Sequence, residues 1–124
     1  MSDRDRASRL RQEIGHLAAE GDTLQRRMLH PKRMIRASLI ARRLGSSHRK
    51  RASTAYYLSW AERRKTVLRH VAKEDLARVR ARVDSWREYR RRFRRCRQIA
   101  QRLLELFDQL GEVQSERPGA EAPR

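Results

Sequence analysis

The segment Ala55–Leu76, AYYLSWAERRKTVLRHVAKEDL, decides the fold that the sequence predicts. Two runs in and around it, 54–60 and 66–71, are rich in aromatic and β-branched residues, which favour strands. The residues between the runs contain no glycine, so we predict a loop of about four or five residues rather than a tight two-residue turn. Helix formers follow the second run. The segment therefore predicts a β-hairpin that leads into a helix.

A third strand is predicted upstream of the hairpin. Every second residue within 34–41 is apolar, as in a strand, although the alanines also suit a helix. These residues are Ile35, Ala37, Leu39 and Ala41. The stretch 45–53, GSSHRKRAS, has the composition of a flexible basic loop. We therefore predict a small three-stranded antiparallel sheet within residues 32–72, backed by the start of the following helix.

Helical segments with heptad spacing flank this sheet. In residues 3–29, small and apolar residues alternate at intervals of three and four: Ala7, Leu10, Ile14, Leu17, Gly21, Leu24 and Met28. Residues 73–110 carry one such stripe through Leu76, Val79, Val83, Trp86, Phe93, Ala100, Leu104 and Phe107, and a second through Cys96, Ile99, Leu103, Leu106 and Leu110. His30-Pro31 is expected to end the first helix, and Gly111 the second.

The predicted fold is α+β and mostly helical. It comprises an N-terminal heptad helix in 1–31, the basic sheet in 32–72 with its loop at 45–53, a long C-terminal helix in 73–111 and a disordered tail in 112–124. Because neither helix can bury its stripe alone, we predict a coiled-coil hairpin or a dimeric bundle. The expected interface residues, between copies or with a protein partner, are Leu10, Ile14, Leu17, Leu24, Phe93, Ile99, Leu103, Leu104 and Phe107.

The composition narrows the class of partner. In 124 residues, 32 Lys and Arg oppose 15 Asp and Glu, so the net charge is +17. The commonest polyanion that relieves such self-repulsion is nucleic acid. The sequence has neither an apolar run long enough to span a membrane nor an apolar N-terminal signal segment, so a cytoplasmic protein associated with the nucleoid is expected.

Positive charge is concentrated in two places. The 39 residues from Thr23 to Ala61 contain no Asp or Glu but ten cations, which indicates a phosphate-contacting surface more than a solvated linker. A second cluster follows in 87–102, where adjacent arginines point in different directions around a helix. The predicted nucleic-acid-binding residues are Arg33, Arg36, Arg42, Arg43, Arg49, Lys50, Arg51, Tyr57, Lys65, Arg69, Arg91, Arg94 and Arg95.

The aromatic residues of the first hairpin strand divide between two faces of the sheet. Tyr56, Leu58 and Trp60 share one face, and we predict that they form a small core with Val67 or Leu68 and with Leu76. Tyr57 and Ser59 lie on the other face. That face, together with the Arg69 or Lys65 side of the next strand, is expected to enter the major groove of DNA.

No catalytic or metal site is predicted. The four histidines are scattered without metal-ligand spacing, and acidic pairs suited to metal-dependent cleavage are missing from the basic region. The single cysteine, Cys96, lies on an apolar stripe and is expected to be a buried structural thiol rather than a reactive one. We therefore predict a protein that is not an enzyme and needs no cofactor.

The motifs YYLSW (56–60), KT (65–66) and VAKEDL (71–76), with RASL (36–39) before them, resemble a pattern found in small bacterial and archaeal proteins of no settled function. The resemblance covers roughly residues 33–110. Some members of that family travel with transposons and recombinases. The chain departs from the pattern in having 45–51 in place of a cysteine-containing loop, Arg64 in place of the turn glycine, and Ala72 in place of a proline.

Residues and resemblance together predict a non-catalytic accessory protein of a mobile genetic element. It would hold duplex DNA by the basic sheet and arm, and join a recombinase or transposase complex through its helices, as a homo-oligomer or with that partner. Two alternatives use the same features. An RNA- or ribosome-binding protein would use the same charge, and a coiled-coil adaptor would bind an acidic protein partner through the helices.

Overall fold

The computed structural model describes residues 2–44 and 53–119 of the chain. The elements, in order, are helix α1 (Asp3–Met28), strands β1 (Ser38–Leu44), β2 (Ser53–Glu62) and β3 (Lys65–Val71), a 3₁₀ turn (Lys73–Asp75) and helix α2 (Leu76–Val113). The predicted mostly helical α+β fold, with one three-stranded sheet between two helices, is confirmed. Of the loop predicted at 45–53, residues 45–52 lie outside the described residues, and Ser53 is the first residue of β2.

The sheet is a simple antiparallel meander of order β1-β2-β3. The register pairs Leu39 with Leu58 across β1 and β2, and Leu58 with Arg69 across β2 and β3. Residues opposite each other in an antiparallel pair project to the same face. This register therefore assigns every strand residue to one of two faces, which decides the candidate site below.

The turn between β2 and β3 corrects the sequence prediction. Glu62 pairs with Lys65, so only Arg63 and Arg64 connect the strands. Both have positive φ, 49° and 66°, as a type I′ hairpin turn requires. The prediction of a longer loop was wrong because it assumed that only glycine or asparagine would occupy these positions. Here two arginines adopt the left-handed conformation at a steric cost.

The core of the sheet lies between one of its faces and the first half of α2. Val71, Val79 and Val83 are buried there. Partly buried apolar residues pack around these valines: Ile35, Leu39, Tyr56, Leu58 and Leu76. The predicted core role of Tyr56, Leu58 and Leu76 is thus confirmed. Trp60 is half-buried outside this cluster, and its indole N–H donates to Glu62 at 3.4 Å.

Residues 30–91 form one compact unit, which contains the sheet and the start of α2. A backbone hydrogen bond of 3.1 Å, from the Ile35 N–H to the Arg82 carbonyl, ties the segment before β1 to α2. Residues 1–29 and 92–124 form a second compact unit, within which the structure describes 2–29 and 92–119. Helix α2 thus contributes its first part to one unit and its second part to the other.

In the second unit, α1 and the second part of α2 pack antiparallel. Glu13 contacts Arg102 and Glu20 contacts Arg95, so the two helices run in opposite directions. Ala7, Ile99 and Leu106 are buried. Gly21 is also buried, and a Cβ at this position would lie 3.5 Å from Ile99 Cγ2. This is an ordinary van der Waals distance, so the contact with Ile99 does not itself require glycine at position 21.

The helix ends follow from local chemistry. Ser2 caps α1, since its side-chain oxygen accepts a hydrogen bond of 3.2 Å from the Asp5 N–H. His30-Pro31 follows the end of α1, as predicted. Gly111 does not end α2, because the helix continues to Val113. From Gln114 to Gly119 the described chain forms no helix or strand, and the rest of the predicted tail lies outside the described residues.

Candidate nucleic-acid interface

The face of the sheet that points away from the α2 core is the candidate site, and we call it the outer face. The register places one residue of each strand in a central row, Ile40 beside Tyr57 beside His70. A neighbouring row consists of Ser38, Ser59 and Leu68. Arg42 lies opposite Ala55 on the same side. Alternation along the strands adds Ser53, Ala61 and Thr66 to the face.

Three side chains form the centre of the outer face. The guanidinium carbon of Arg42 lies 5.6 Å from the centre of the Tyr57 ring. On the other side of Tyr57, the His70 ring lies 5.4 Å away with an interplanar angle of 76°, an edge-to-face contact. Tyr57 is half-buried between these neighbours, whereas Arg42 and His70 are exposed. The cation–π and ring contacts restrain donor groups on an exposed surface.

The outer face contains no carboxylate. None of these eleven described residues, from Ser38 in β1 to His70 in β3, is Asp or Glu. Among the described residues, none provides a carboxylate within ion-pair distance of Arg33, Arg36, Arg42 or Arg43. These cations of the acid-free tract are therefore not neutralised by the described part of the chain.

Two of the predicted residues lie on the wrong face. Arg69 opposes Leu58 and Lys65 opposes Glu62, so both project to the side of the Leu58 core and not to the side of Tyr57. Arg69 lines a depression beside Ile35 and Val79. The prediction that Arg69 or Lys65 would share the face of Tyr57 is wrong, because it did not include the register of the tight turn.

The other predicted residues of the tract that the structure describes are exposed but dispersed. Arg33 lies in the segment before β1. The Arg36 guanidinium carbon lies 5.0 Å from the centre of the Trp86 ring, on α2. Arg43 is next to Arg42 in β1 and projects to the opposite face. The remaining three, Arg49, Lys50 and Arg51, lie outside the described residues.

The arginines predicted on α2 are used partly within the chain. Arg91 pairs with Glu88 at 2.8 Å. Arg95 belongs to the helical unit, and its Nη2 donates to Glu20 of α1 at 2.8 Å. Hydrogen bonds from Arg95 lower the pKa of Glu20, and the same bonds raise the pKa of Arg95. Arg94 is exposed. Arg95 therefore has a structural partner, which leaves Arg94 as the better candidate for a phosphate contact.

The described histidine, cysteine and acidic side chains do not cluster into a metal site. Within 2–44 and 53–119, no three His, Cys, Asp or Glu side chains come together to hold a metal ion. Cys96 is half-buried, and its Sγ lies 3.8 Å from Met28 Sδ of α1. Cys96 therefore lies at a contact with α1, but its side chain is half-buried and not buried as predicted.

Sequence reasoning missed two parts of this surface. The histidines show no metal-ligand spacing, so the sequence prediction leaves out His70, which strand alternation and a two-residue turn place beside Tyr57. Arg63 and Arg64 fall in the predicted loop and are not among the predicted binding residues. The signal that would have found all three was the register, which depends on the length of the turn.

Comparisons of the chain with protein-family models, with curated proteins and with solved structures find no match. The resemblance to the small bacterial and archaeal family therefore stays a prediction. In the described part of the chain, neither α1 nor α2 combines the length and apolar character that a membrane-spanning helix needs.

Proposed function

We propose that this chain is a non-catalytic nucleic-acid-binding protein that docks the outer face of its sheet on duplex DNA. The observation that carries the proposal is a sheet face without carboxylates, centred on Arg42, Tyr57 and His70. A solvated face of an ordinary soluble protein mixes both signs of charge, whereas a face that meets phosphates and base edges excludes carboxylates.

The outer face has suitable donors for the major groove. The groove is about 12 Å wide and admits a β-ribbon that presents side chains to base edges. The Arg42 guanidinium is a planar donor suited to the paired acceptors of guanine. His70 and the Tyr57 hydroxyl add two further polar groups. Exposed cations outside the face, such as Arg33 in the segment before β1, supply contacts to phosphates.

Duplex DNA is favoured over RNA on geometric grounds. The major groove of an A-form RNA helix is deep and narrow, so a three-stranded sheet cannot reach its base edges. Single strands are bound chiefly by exposed rings on which bases stack. On the outer face, Tyr57 is covered on two sides by Arg42 and His70, so it is a poor stacking platform.

The helical unit supports a proposal of self-association. Of the predicted interface residues, Ile99 is buried within the unit itself. Phe93, Leu104 and Phe107 are instead exposed on α2. The other five, Leu10, Ile14, Leu17, Leu24 and Leu103, are half-buried. Because these exposed apolar residues lie on one helix, we infer that a second copy of the chain covers them. Association with a recombinase or transposase rests on the family resemblance alone and stays a prediction.

The test is a binding titration of the full chain with a fluorescent duplex, by anisotropy, over a range of salt concentrations. If about 6–10 phosphates are contacted, affinity falls roughly 10³–10⁵-fold between 50 and 200 mM salt. Arg42→Ala should weaken binding by about 1–3 kcal/mol, as expected for a base contact. Arg11→Ala is the matched control, since Arg11 is an exposed arginine of α1.

Three outcomes decide between the readings. A flat salt response would refute nucleic-acid binding and favour the adaptor. Preference for structured RNA over duplex DNA would favour the ribosomal alternative. Equal losses for Arg42→Ala and Arg11→Ala would refute the outer face as the contact surface.

A further inference from the structure

The two residues at the tip of the β2–β3 hairpin adopt a backbone conformation that arginine disfavours. Arg63 and Arg64 both have positive φ, a conformation that glycine and asparagine adopt at much lower cost than arginine. An Asn-Gly pair would form the same two-residue turn with less strain. Strained backbone at an exposed position that packing does not require is a reason to look for a function.

The tip of the hairpin carries three neighbouring positive charges on exposed side chains. Arg63, Arg64 and Lys65 are consecutive cations, and all three are exposed. The carboxylate nearest in sequence, Glu62, accepts a hydrogen bond from the Trp60 indole at 3.4 Å. Among the described residues, no carboxylate lies within 4.0 Å of a cationic nitrogen of these three side chains. The tip therefore presents three positive charges to a partner outside the chain.

The outer face needs such charges. Among its described residues, only Arg42 and His70 can carry a positive charge. The face is therefore suited to contacts with base edges, but it offers few contacts to phosphates. Arg63 lies six positions after Tyr57 along the extended strand. At about 3.3 Å per residue the tip lies roughly 20 Å from the centre of the face. A ribbon whose centre lies in a groove about 12 Å wide would carry its tip beyond the groove, to the phosphates at its edge.

We propose that the hairpin tip, Arg63-Arg64-Lys65, is a phosphate clamp that fixes the position of the sheet on the DNA backbone. This inference rests on the proposed function and adds a second contact point to it. Arg63 and Arg64 extend from a two-residue turn, and so short a turn restricts the positions that their guanidinium groups can take. The positive φ of these two arginines lowers the stability of the fold, and their side chains gain contacts with phosphates in return.

The test substitutes the tip by the pair that the turn itself prefers. Arg63→Asn with Arg64→Gly keeps the two-residue turn, so the melting temperature should rise by roughly 4 °C or more while duplex affinity falls. Losing two phosphate contacts should reduce the slope of log affinity against log salt by about 1.8, and reduce affinity at least about tenfold near 0.1 M salt. Arg63→Lys with Arg64→Lys retains both charges and should bind within about threefold of the parent chain.

The matched control removes the same charge elsewhere. Arg4→Gln with Arg11→Gln takes two exposed cations from α1, and it should lower affinity only slightly through net charge. If the Asn-Gly variant binds no more weakly than this control, the clamp is refuted, even where Arg42→Ala still weakens binding and the proposed function stands. If the Asn-Gly variant is also no more stable than the parent, the strain argument fails as well. A parent chain that binds no duplex at all would refute the proposed function itself.

Discussion

Leu104 and Leu106 on α2 provide a matched pair of substitutions that tests the packing of the helical unit. The two leucines are two positions apart on one helix, yet Leu106 is 0% exposed and Leu104 is 72% exposed. Truncating a buried leucine to alanine costs about 2–5 kcal/mol, through lost burial and the cavity that remains. Because only two helices surround Leu106, partial collapse is easy, and we expect a loss of about 2–3 kcal/mol for Leu106→Ala.

For Leu104→Ala the expected loss is much smaller. Only about a quarter of the side chain is covered, so the cost should be close to 0.5 kcal/mol, given roughly 1.5–3 kcal/mol for burying a whole leucine. Both substitutions replace leucine by alanine, which has the higher helix propensity. A change in helix propensity therefore cannot cause a loss of stability in either variant. The predicted difference between the two variants is therefore about 2 kcal/mol.

The assay is urea unfolding followed by circular dichroism, at a low and a high protein concentration. Leu106→Ala should lower the midpoint at both concentrations. Leu104→Ala should have its larger effect at high concentration, where self-association through Leu104 would stabilise the parent chain. Equal losses for the two variants at the low concentration would refute the packing described for α1 and α2.

Three further predictions concern the same unit. Leu104→Asp should abolish self-association, measured by sedimentation velocity, without changing the helix content; a parent chain that is monomeric at all concentrations would contradict this. Gly15→Ala should stabilise the chain by about 0.5–1 kcal/mol in thermal melts, because nothing lies within 4 Å of the added Cβ. The hydrogen bond from Arg95 lowers the pKa of Glu20 below its ordinary value of 4.5. The contact therefore stabilises the folded chain at pH values above 4.5, and this stabilisation is lost as the pH falls through the lowered pKa of the folded state. On acidification from about pH 7 to about pH 3, the parent should therefore lose more melting temperature than Glu20→Gln. Identical losses would contradict this pH dependence.

The sequence was sufficient to predict the helices and strands because their periodic patterns are strong. Apolar spacing of three and four identified α1 and α2, and the aromatic run identified β2. The register was not predictable in the same way, since it depends on whether two or five residues form the turn. The left-handed Arg63 and Arg64 broke the rule on which that choice was based. One wrong turn length moved Arg69 and Lys65 to the wrong face and hid His70.

The candidate site was only partly predictable for a related reason. The absence of carboxylates from 23–61 identified a basic tract without showing which of its cations lie together. The structure brings Arg42 to Tyr57 and His70, and it directs Arg36 to Trp86. On α2, Arg95 pairs with Glu20 across two helices, a contact that spans 75 positions and that no local pattern indicates.

Chemical-shift mapping of the full chain during titration with a duplex tests the central claim most directly. The account predicts that the ring signals of Tyr57 and His70 and the guanidinium signals of Arg42 shift progressively, while those of the buried Val83 methyl groups stay in place. Shifts confined to α1, or no shift on the outer face at a duplex concentration that saturates binding, would contradict it.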